Sequence, residues 1–441
     1  MLISGADTSG SSDSAGGNGG NGAGDDSVYP DPPPVRPDGG DTDESGQVPS
    51  QDPAGGTPGA PGGAPGGAPG GSPGGAPGGA PGAETPPPDE TQAPLPNLPV
   101  RRSFVMCTVS RMFEGYDVYK DVPCEYIVFD NLLIYNDKVM PTQDFYGWAT
   151  FKKFVQSKPS QILGIAFMGM YLDGIAGLVR KPKVQKELKD LFQLGVRACG
   201  VTGVDIPTAQ AAQATVTKSL INFFSGLEAP AQSVVYYFGT FILPDATKFD
   251  GLQGFLNGFE VHIAVLVTYN LHWQKVYIEK CTVEASSSWN LPDGPTFENA
   301  AYALAKLTAP DKALGVSFSM AVFSYTTYAY VSDTVPPFGG GCKYRSAISF
   351  QNWCNKTTAA EGTTGNMAVR LHVYDTRTVL SFDTKASMEA KINELKKTVN
   401  YPIGLLLADI PYDVIDEKPC TYISLTRVKG IAEVVHKQSA R

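Results

Sequence analysis

Eight apolar runs rich in β-branched and aromatic residues recur after residue 100, and they constrain the fold more than any other feature. Amphipathic segments with helical spacing lie between several of them. Nearly continuous apolar runs are typical of strands buried on both faces of a parallel sheet. Eight such strands with helices in the connections predict an α/β fold, a (β/α)8 or TIM barrel, which typically takes about 250 residues and more with insertions. The runs are Phe104–Ser110, Tyr126–Tyr135, Ile162–Met170, Gly200–Ile206, Ser233–Leu243, Val261–Thr268, Ala313–Phe323 and Ile403–Ala408.

The connections between these runs carry apolar stripes that predict helices packed on the sheet. Residues 325–383, between the seventh strand and the last helix, instead alternate apolar and polar positions over short segments. We therefore expect a small β-rich insertion after strand 7, inside a barrel domain that spans residues 101–441. The stripes are Val184, Leu188, Leu191 and Phe192; Val216, Leu220, Phe223 and Phe224; and Met388, Ile392 and Leu395.

Residues 1–100 have a different composition. They hold 25 of the 48 Gly and 20 of the 35 Pro, and their only aromatic residue is Tyr29. Such a segment has too few apolar groups to offset roughly 1–2 kcal/mol of backbone entropy per residue, so we expect a disordered tail. Residues 60–82 repeat Gly-Gly-Ala-Pro with a period of four. Collagen needs Gly at every third position, so this repeat excludes a collagen helix.

The tail also accounts for the acidity of the chain. The formal net charge is −9, but residues 1–100 hold thirteen Asp or Glu against one basic residue, Arg36, and so carry −12. The remaining 341 residues, with 34 Lys or Arg against 31 Asp or Glu, are at about +3. The acidic balance therefore says nothing about the partners of the predicted barrel.

Cysteine content favours an oxidising compartment. All seven Cys follow residue 100, and Asn355-Lys356-Thr357 is a glycosylation acceptor. No run of 18 apolar residues is present, so we expect no membrane span. The first ten residues lack the basic and apolar regions of a signal peptide. Taken alone, this start predicts a cytosolic protein. The cysteines and the glycosylation acceptor favour secretion instead, which the disulfides implied by the resemblance below support, and we expect the recorded N-terminus to be incomplete.

Five segments in order along residues 101–441 resemble glycoside hydrolase family 18, the chitinases and chitinase-like proteins. The resemblance implies a TIM barrel with an extra module after strand 7 and a chitin-like ligand. The segments are Phe104–Cys107 with Pro123–Phe129, Gly200–Ile206, Val267–His272, Phe350–Cys354 with Tyr374-Asp375, and Gly404–Asp413.

The resemblance also implies disulfides. In the family the first two strands are bridged, which would be Cys107–Cys124, and the insertion is bridged to the loop after strand 8, which would be Cys354–Cys420. Three cysteines then remain: Cys199, Cys281 and Cys342. For them a bridge between Cys199 and Cys281 and a buried thiol both stay open.

The family's catalytic residues are largely missing. Its pattern D-x-x-D-x-D-x-E supplies the general acid, while the acetamido group of the sugar is the nucleophile. The matching positions here are Thr202, Asp205, Pro207 and Ala209, so the acid is replaced by alanine. A slipped alignment cannot restore it, because residues 206–227 contain no Asp or Glu. The Trp that floors the family's central sugar site corresponds to Ala408.

Some ligand contacts of the family remain possible. Tyr269 is present, and in the family this tyrosine forms a hydrogen bond with the acetamido group. The Asp that follows it in the family is replaced here by Asn270. Tyr269, Asp205 and Asn270 are therefore candidate ligand-binding residues. The alternative for Tyr269 is a plain residue of the barrel interior.

No other chemistry has a recognisable motif. The four His residues show no metal-ligand spacing and no basic stripe with interleaved aromatics is present. We therefore expect no metal, no cofactor and no nucleic acid. The sequence favours a secreted, catalytically inactive chitinase-like protein that binds a glycan or an extracellular protein. The alternative is an extracellular structural or adhesive protein that acts through its Gly/Pro-rich tail; residual lectin activity through Tyr269 is a third possibility.

Overall fold

The structure is a computed structural model of the 441-residue chain. It describes the following residues: 102–110, 113, 117–142, 145–204, 211–227, 234–241, 252–253, 256, 261–269, 281–289, 296–307, 311–328, 338–348, 358–363, 369–373, 377–414 and 425–439. The tail predicted over residues 1–100 lies outside these ranges.

A closed barrel of eight parallel strands forms the centre of the described fold, which confirms the predicted (β/α)8 barrel. The barrel strands are β1 (Val105–Thr108), β2 (Tyr126–Tyr135), β4 (Ile162–Met168), β5 (Ala198–Val204), β6 (Val235–Phe241), β7 (Ile263–Val267), β8 (Ala313–Ser319) and β14 (Gly404–Ala408). Their order is β1-β14-β8-β7-β6-β5-β4-β2, and pairing of β1 with β2 closes the ring. A ninth strand, β3 (Lys138–Pro141), extends β2 as an antiparallel hairpin.

Helices cover the outside of the barrel, and the predicted apolar stripes pack against it. All four stripe residues of the helix 182–194 are buried, as are the three of the helix 385–398. In the remaining stripe, Leu220 and Phe224 are buried, and Val216 and Phe223 are partly buried against the same core. The described helices are α1 (Asp117–Lys120), α2 (Phe145–Gln156), α3 (Leu172–Leu178), α4 (Pro182–Leu194), α5 (Ala211–Ser225), α6 (Phe297–Lys306), α7 (Lys385–Thr398) and α8 (Thr426–Ser439).

The seventh predicted strand, Ala313–Phe323, is longer than the strand in the structure. The run Ala313–Phe323 divides at Met320 and Ala321 into β8 and a new strand, β9 (Val322–Thr327). Both dividing residues are buried, at 0% and 3% exposure, so the run stays apolar across the break. Strand β9 leaves the barrel and joins a second sheet.

This second sheet has five antiparallel strands in the order β10-β9-β13-β12-β11. Its other members are β10 (Cys342–Ile348), β11 (Thr358–Thr363), β12 (Val369–Val373) and β13 (Thr378–Phe382). The β-rich insertion after strand 7 is thus present. Strand β11 was not predicted, because its sequence TAAEGT shows no apolar alternation.

A network of buried charges joins the inserted sheet to the barrel and its last helices. Asp383, directly after β13, accepts hydrogen bonds from Lys391 of α7, from Ser387 Oγ at 2.8 Å and from Ser286 Oγ at 3.0 Å. Asp383 and Lys391 are both fully buried. Arg427 of α8 donates from Nε to Asp413 Oδ1 at 2.6 Å and also to the carbonyls of Asp383 and Met320.

Two disulfides lie within the described residues. Cys107–Cys124 ties β1 to the start of β2, as predicted. The second joins Cys281 to Cys342, so the possible bridge between Cys199 and Cys281 was wrong. Cys199 is buried on β5 and forms no disulfide. The predicted Cys354–Cys420 bridge and the glycosylation acceptor Asn355 lie outside the described residues.

Glycines on two barrel strands make room for one large ring in the barrel interior. A Cβ added to Gly404 of β14 would lie 2.2 Å from the ring of Phe104, and one added to Gly315 of β8 would lie 2.8 Å from it. Phe104 is fully buried. The interior at this end is therefore filled by an aromatic ring seated against backbone.

We expect Gly404→Ala to lower the free energy of unfolding by about 1–3 kcal/mol, because the added methyl group overpacks the Phe104 ring. Urea unfolding followed by fluorescence measures the change. Gly174→Ala on α3 is the matched control, since nothing lies within 4 Å of its added Cβ, and we expect it to leave stability unchanged or raise it. Equal stability of Gly404→Ala and the parent protein would show that the ring moves aside freely.

Candidate binding site at the barrel mouth

The C-terminal ends of the barrel strands, here called the barrel mouth, are where TIM barrels carry their functional residues. Of the predicted ligand-binding residues, Tyr269 lies within the described part of the chain, two residues after β7. Asp205 and Asn270 lie outside it, as does Ala209. The structure therefore supplies geometry for Tyr269 and for the strand ends around it.

Tyr269 and Ala408, the last residue of β14, belong to the same cluster of buried side chains inside the barrel. Tyr269 is 7% exposed and Ala408 is fully buried. Both positions that the resemblance singled out, the tyrosine and the alanine that stands for the family's Trp, thus lie at strand ends of the barrel mouth. Alanine offers no aromatic face on which a sugar ring could stack.

The Tyr269 side chain is a neutral phenol at physiological pH. Burial raises its pKa well above the usual value, and the negative charges of Asp130 and Asp409 raise it further.

Asp130 is the first of two residues at the barrel mouth that the sequence did not predict. It occupies an inward position of β2, two residues beyond Val128 of the interior core, and it is 5% exposed. Burial raises its pKa from 3.8 to about 7, with a second contribution from the charge of Asp409. The hydroxyls of Ser110 and Thr108 oppose this rise by hydrogen bonding.

Asp409, the second missed residue, directly follows β14. Ser110 Oγ donates to Asp409 Oδ1 at 2.8 Å, and Asn131 Nδ2 donates to Ser110 Oγ at 2.7 Å. The backbone N–H of Asp409 donates to Thr108 Oγ1 at 2.9 Å. Asp409 adopts the left-handed conformation, with φ 58°, which an Asp tolerates better than most residues. The segments after β1 and β14 are thereby joined to each other and to Asn131 of β2 by side-chain hydrogen bonds.

A signal for both carboxylates is visible in the sequence. Asp130 is the one charged residue inside the ten-residue run Tyr126–Tyr135, and Asp409 directly follows the apolar run Gly404–Ala408. A charged residue within or next to a buried strand is uncommon unless it is paired. The resemblance to the family points instead to Tyr269, Asp205 and Asn270, so it does not predict Asp130 or Asp409.

Tyr237 of β6 closes the barrel interior near Asp130. Its hydroxyl donates to the carbonyl of Ile165 at 3.0 Å, and its ring lies against Gly200, where an added Cβ would meet the Tyr237 ring at 2.8 Å. Burial raises the pKa of Tyr237, and the charges of Cys199 and Asp130 add to this effect. Asp130 therefore interacts electrostatically with two tyrosines and a second carboxylate.

The described residues contain no group of three or more His, Cys, Asp or Glu side chains placed to hold a metal ion. None of their helices is both long and apolar enough to cross a membrane.

The fold is one that solved chitinase structures share. By sequence the chain matches no family model and no curated protein. By structure it is similar to an immunomodulatory active chitinase of Trichuris suis, with 14% identity, a TM-score of 0.56, and 76% of this chain and 100% of that chain covered.

Two more solved structures show the same likeness. An Ostrinia furnacalis Group IV chitinase has 12% identity and a TM-score of 0.54 and covers 77% of this chain and all of its own. Human YKL-39, described as a pseudo-chitinase with retained chitooligosaccharide binding properties, has 14% identity and a TM-score of 0.54 and covers 77% and 99%. At these identities the likeness establishes a shared fold, which active and inactive proteins both adopt.

Proposed function

We propose that residues 101–441 form a catalytically inactive, chitinase-like barrel that binds a chitin-like glycan or a protein partner outside the cell. The observation that carries the proposal is the absence of any Asp or Glu from residues 206–227, where the general acid of a chitinase would be supplied. Loss of a positioned general acid typically costs about 10²–10⁴ in rate. The family membership itself is part of this proposal.

The barrel mouth supports glycan binding rather than catalysis. Tyr269 offers a buried phenol to a ligand, and the neighbouring carboxylates offer acceptors for sugar hydroxyls. YKL-39 is a precedent for a chitinase-like barrel that binds chitooligosaccharides without being a chitinase. The disulfides Cys107–Cys124 and Cys281–Cys342 support an oxidising compartment, since such bonds are rare in the reducing cytosol.

The test combines turnover and binding on the full chain. We expect no measurable hydrolysis of chitin-derived oligosaccharides, but calorimetric binding to them that Tyr269→Phe weakens about 3–10-fold, since one hydrogen bond is lost. Tyr302→Phe is the matched control, because this ring is 43% exposed on the outer helix α6. Hydrolysis at the rate of an active chitinase would overturn the proposed inactivity, and absence of heat with every oligosaccharide would overturn glycan binding.

The Gly-Gly-Ala-Pro repeat favours a second candidate, an extracellular structural or adhesive protein that acts through residues 1–100. Chains lacking residues 1–100 and chains lacking the barrel are compared for binding to matrix proteins. If binding follows the tail and the barrel alone binds nothing, the structural function is correct and the glycan-binding one is not.

A further inference from the structure

The positive charge of the barrel domain is concentrated in one stretch of neighbouring elements. Residues 138–197 hold ten Lys or Arg against four Asp or Glu, a formal charge of +6. Residues 101–441 carry +3 in total, so the rest of this domain sums to −3. The stretch contains β3, α2, β4, α3 and α4, and α2, β3 and α4 contact one another. A local excess of one charge sign creates a field that attracts partners of the opposite sign.

Helix α4 carries part of this charge on its exposed face. Its apolar stripe is buried, whereas Lys183, Lys186 and Lys189 are exposed. These lysines recur every third residue, with a rise of about 4.5 Å from one to the next. Lys186 pairs with Asp190 at 2.7 Å. The side chains of Lys183, Lys189 and the preceding Arg180 form no ion pair with any residue that the structure describes.

Two acidic residues beside these lysines hold the β2–β3 hairpin in place and do not neutralise the lysines. Glu187 Oε2 accepts a hydrogen bond from the Val139 N–H of β3 at 2.7 Å. Lys181 Nζ donates to Asp137 Oδ1, in the turn of the hairpin, at 2.7 Å. The hairpin is thereby fastened to α4 at two points. Lys138, which lies between these two points in the chain and is exposed, adds its charge to the same surface.

An exposed aromatic ring lies beside these cations. Tyr135 is opposite Lys138 in the register of the hairpin and is 54% exposed. Residues directly opposite each other in an antiparallel pair have Cβ atoms about 4.5–5.5 Å apart. The Tyr135 side chain forms no hydrogen bond and no ring contact with the described residues. We call the whole surface the basic face, and it consists of Tyr135, Lys138, Arg180, Lys183, Lys186 and Lys189.

We propose that the basic face binds a sulfated polysaccharide of the cell surface or the extracellular matrix. Runs rich in Lys and Arg are typical of patches that bind heparin or nucleic acid. Sulfate groups supply negative charge for the lysines, and a sugar ring supplies an apolar face for Tyr135. The disulfides support an oxidising compartment, which favours a polysaccharide over a nucleic acid.

The basic face is separate from the barrel mouth around Tyr269. In the ring of eight strands, β7 lies four places from β2 in either direction. The hairpin that extends β2 and Tyr269, which follows β7, are therefore on opposite sides of the barrel. The inference goes beyond the proposed function and does not depend on a glycan bound at the mouth.

The experiment measures binding of the full chain to heparin at several NaCl concentrations. We expect Lys183→Gln with Lys189→Gln to bind about tenfold more weakly at low salt. The slope of log affinity against log salt should fall by about 2, since each cation that contacts a polyanion releases about one counterion. Lys397→Gln with Lys437→Gln is the matched control, because these exposed lysines of α7 and α8 give the same change in net charge. The control should bind like the parent.

Tyr135→Ala separates the ring from the charges. We expect affinity for heparin to fall about 3-fold at every salt concentration, with an unchanged slope, because the variant loses a stacking contact and no charge. Tyr302→Ala, on the outer helix α6, should have no effect.

Three further probes identify the class of partner: chemically desulfated heparin, a DNA duplex, and vesicles that contain phosphatidylserine. Absence of heparin binding, or equal heparin binding by the parent and the Lys183/Lys189 variant, would overturn the proposal. Equal binding of heparin and its desulfated form would also overturn it, as would tighter binding to DNA or to the vesicles. Binding of chitin-derived oligosaccharides is measured in parallel, and its failure would count against the proposed function alone.

Discussion

Lys391→Met should lower the free energy of unfolding by about 3–5 kcal/mol, the usual effect of removing one partner of a buried ion pair. The substitution leaves the Asp383 carboxylate fully buried with only the hydroxyls of Ser286 and Ser387 as side-chain donors among the described residues. Because Asp383 directly follows the inserted sheet, the loss should loosen the junction between this sheet and α7. Chemical unfolding and hydrogen exchange of residues 377–398 measure the two effects.

Two further variants test this explanation. Lys397→Met removes an exposed cation of the same helix, which pairs with Glu394, and should cost at most about 0.5 kcal/mol. The double variant Lys391→Met with Asp383→Asn should recover part of the loss, because no charge is then left buried. A single-variant cost as small as that of Lys397→Met would contradict the assigned role of the pair.

Asp130→Asn should make the protein more stable than its parent above pH 7 and similar to it near pH 4. The pKa of Asp130 is about 7 in the fold and near 3.8 in the unfolded chain. Between these values the folded state holds more protons, so the free energy of unfolding falls as the pH rises. The fall attributable to Asp130 is on the order of 4 kcal/mol, at about 1.4 kcal/mol per pH unit.

The measurement is the difference in unfolding free energy between variant and parent at several pH values from 4 to 8. Asp190→Asn, which changes an exposed carboxylate, should track the parent at every pH. Asp409→Asn should end the fall at a lower pH and make its total smaller, because the charge of Asp409 is the second cause of the shift. A difference between Asp130→Asn and the parent that does not vary with pH would show that Asp130 is ionised throughout.

The barrel was predictable because its strands are buried on both faces and so read as continuous apolar runs. Continuous burial is also the reason that the sequence does not show where the run Ala313–Phe323 leaves the barrel sheet and joins the second sheet. Met320 and Ala321 are as buried as the strands on either side of them, and nothing in their side chains marks the end of β8. Strand β11 was missed for the opposite reason, since its residues are small and polar and are held by pairing with β12.

The pairing of Cys281 with Cys342 depends on two distant segments meeting. Cys342 N–H donates to the carbonyl of Cys281 at 2.9 Å, a contact that neither local sequence predicts. At the mouth, Tyr269 was found through the resemblance, whereas Asp130 and Asp409 were not. Their importance arises from burial and from proximity across the barrel, and these are properties of the folded chain rather than of any short motif.

The short break between β8 and β9 determines how the inserted sheet behaves mechanically. Met320 N–H donates to the Ala408 carbonyl, and the Met320 carbonyl accepts from Arg427. Arg427 also donates to the Asp413 carboxylate and to the Asp383 carbonyl. A hinge at this point would have to break those bonds together. We therefore expect the inserted sheet to move together with the barrel as one body rather than as a flap.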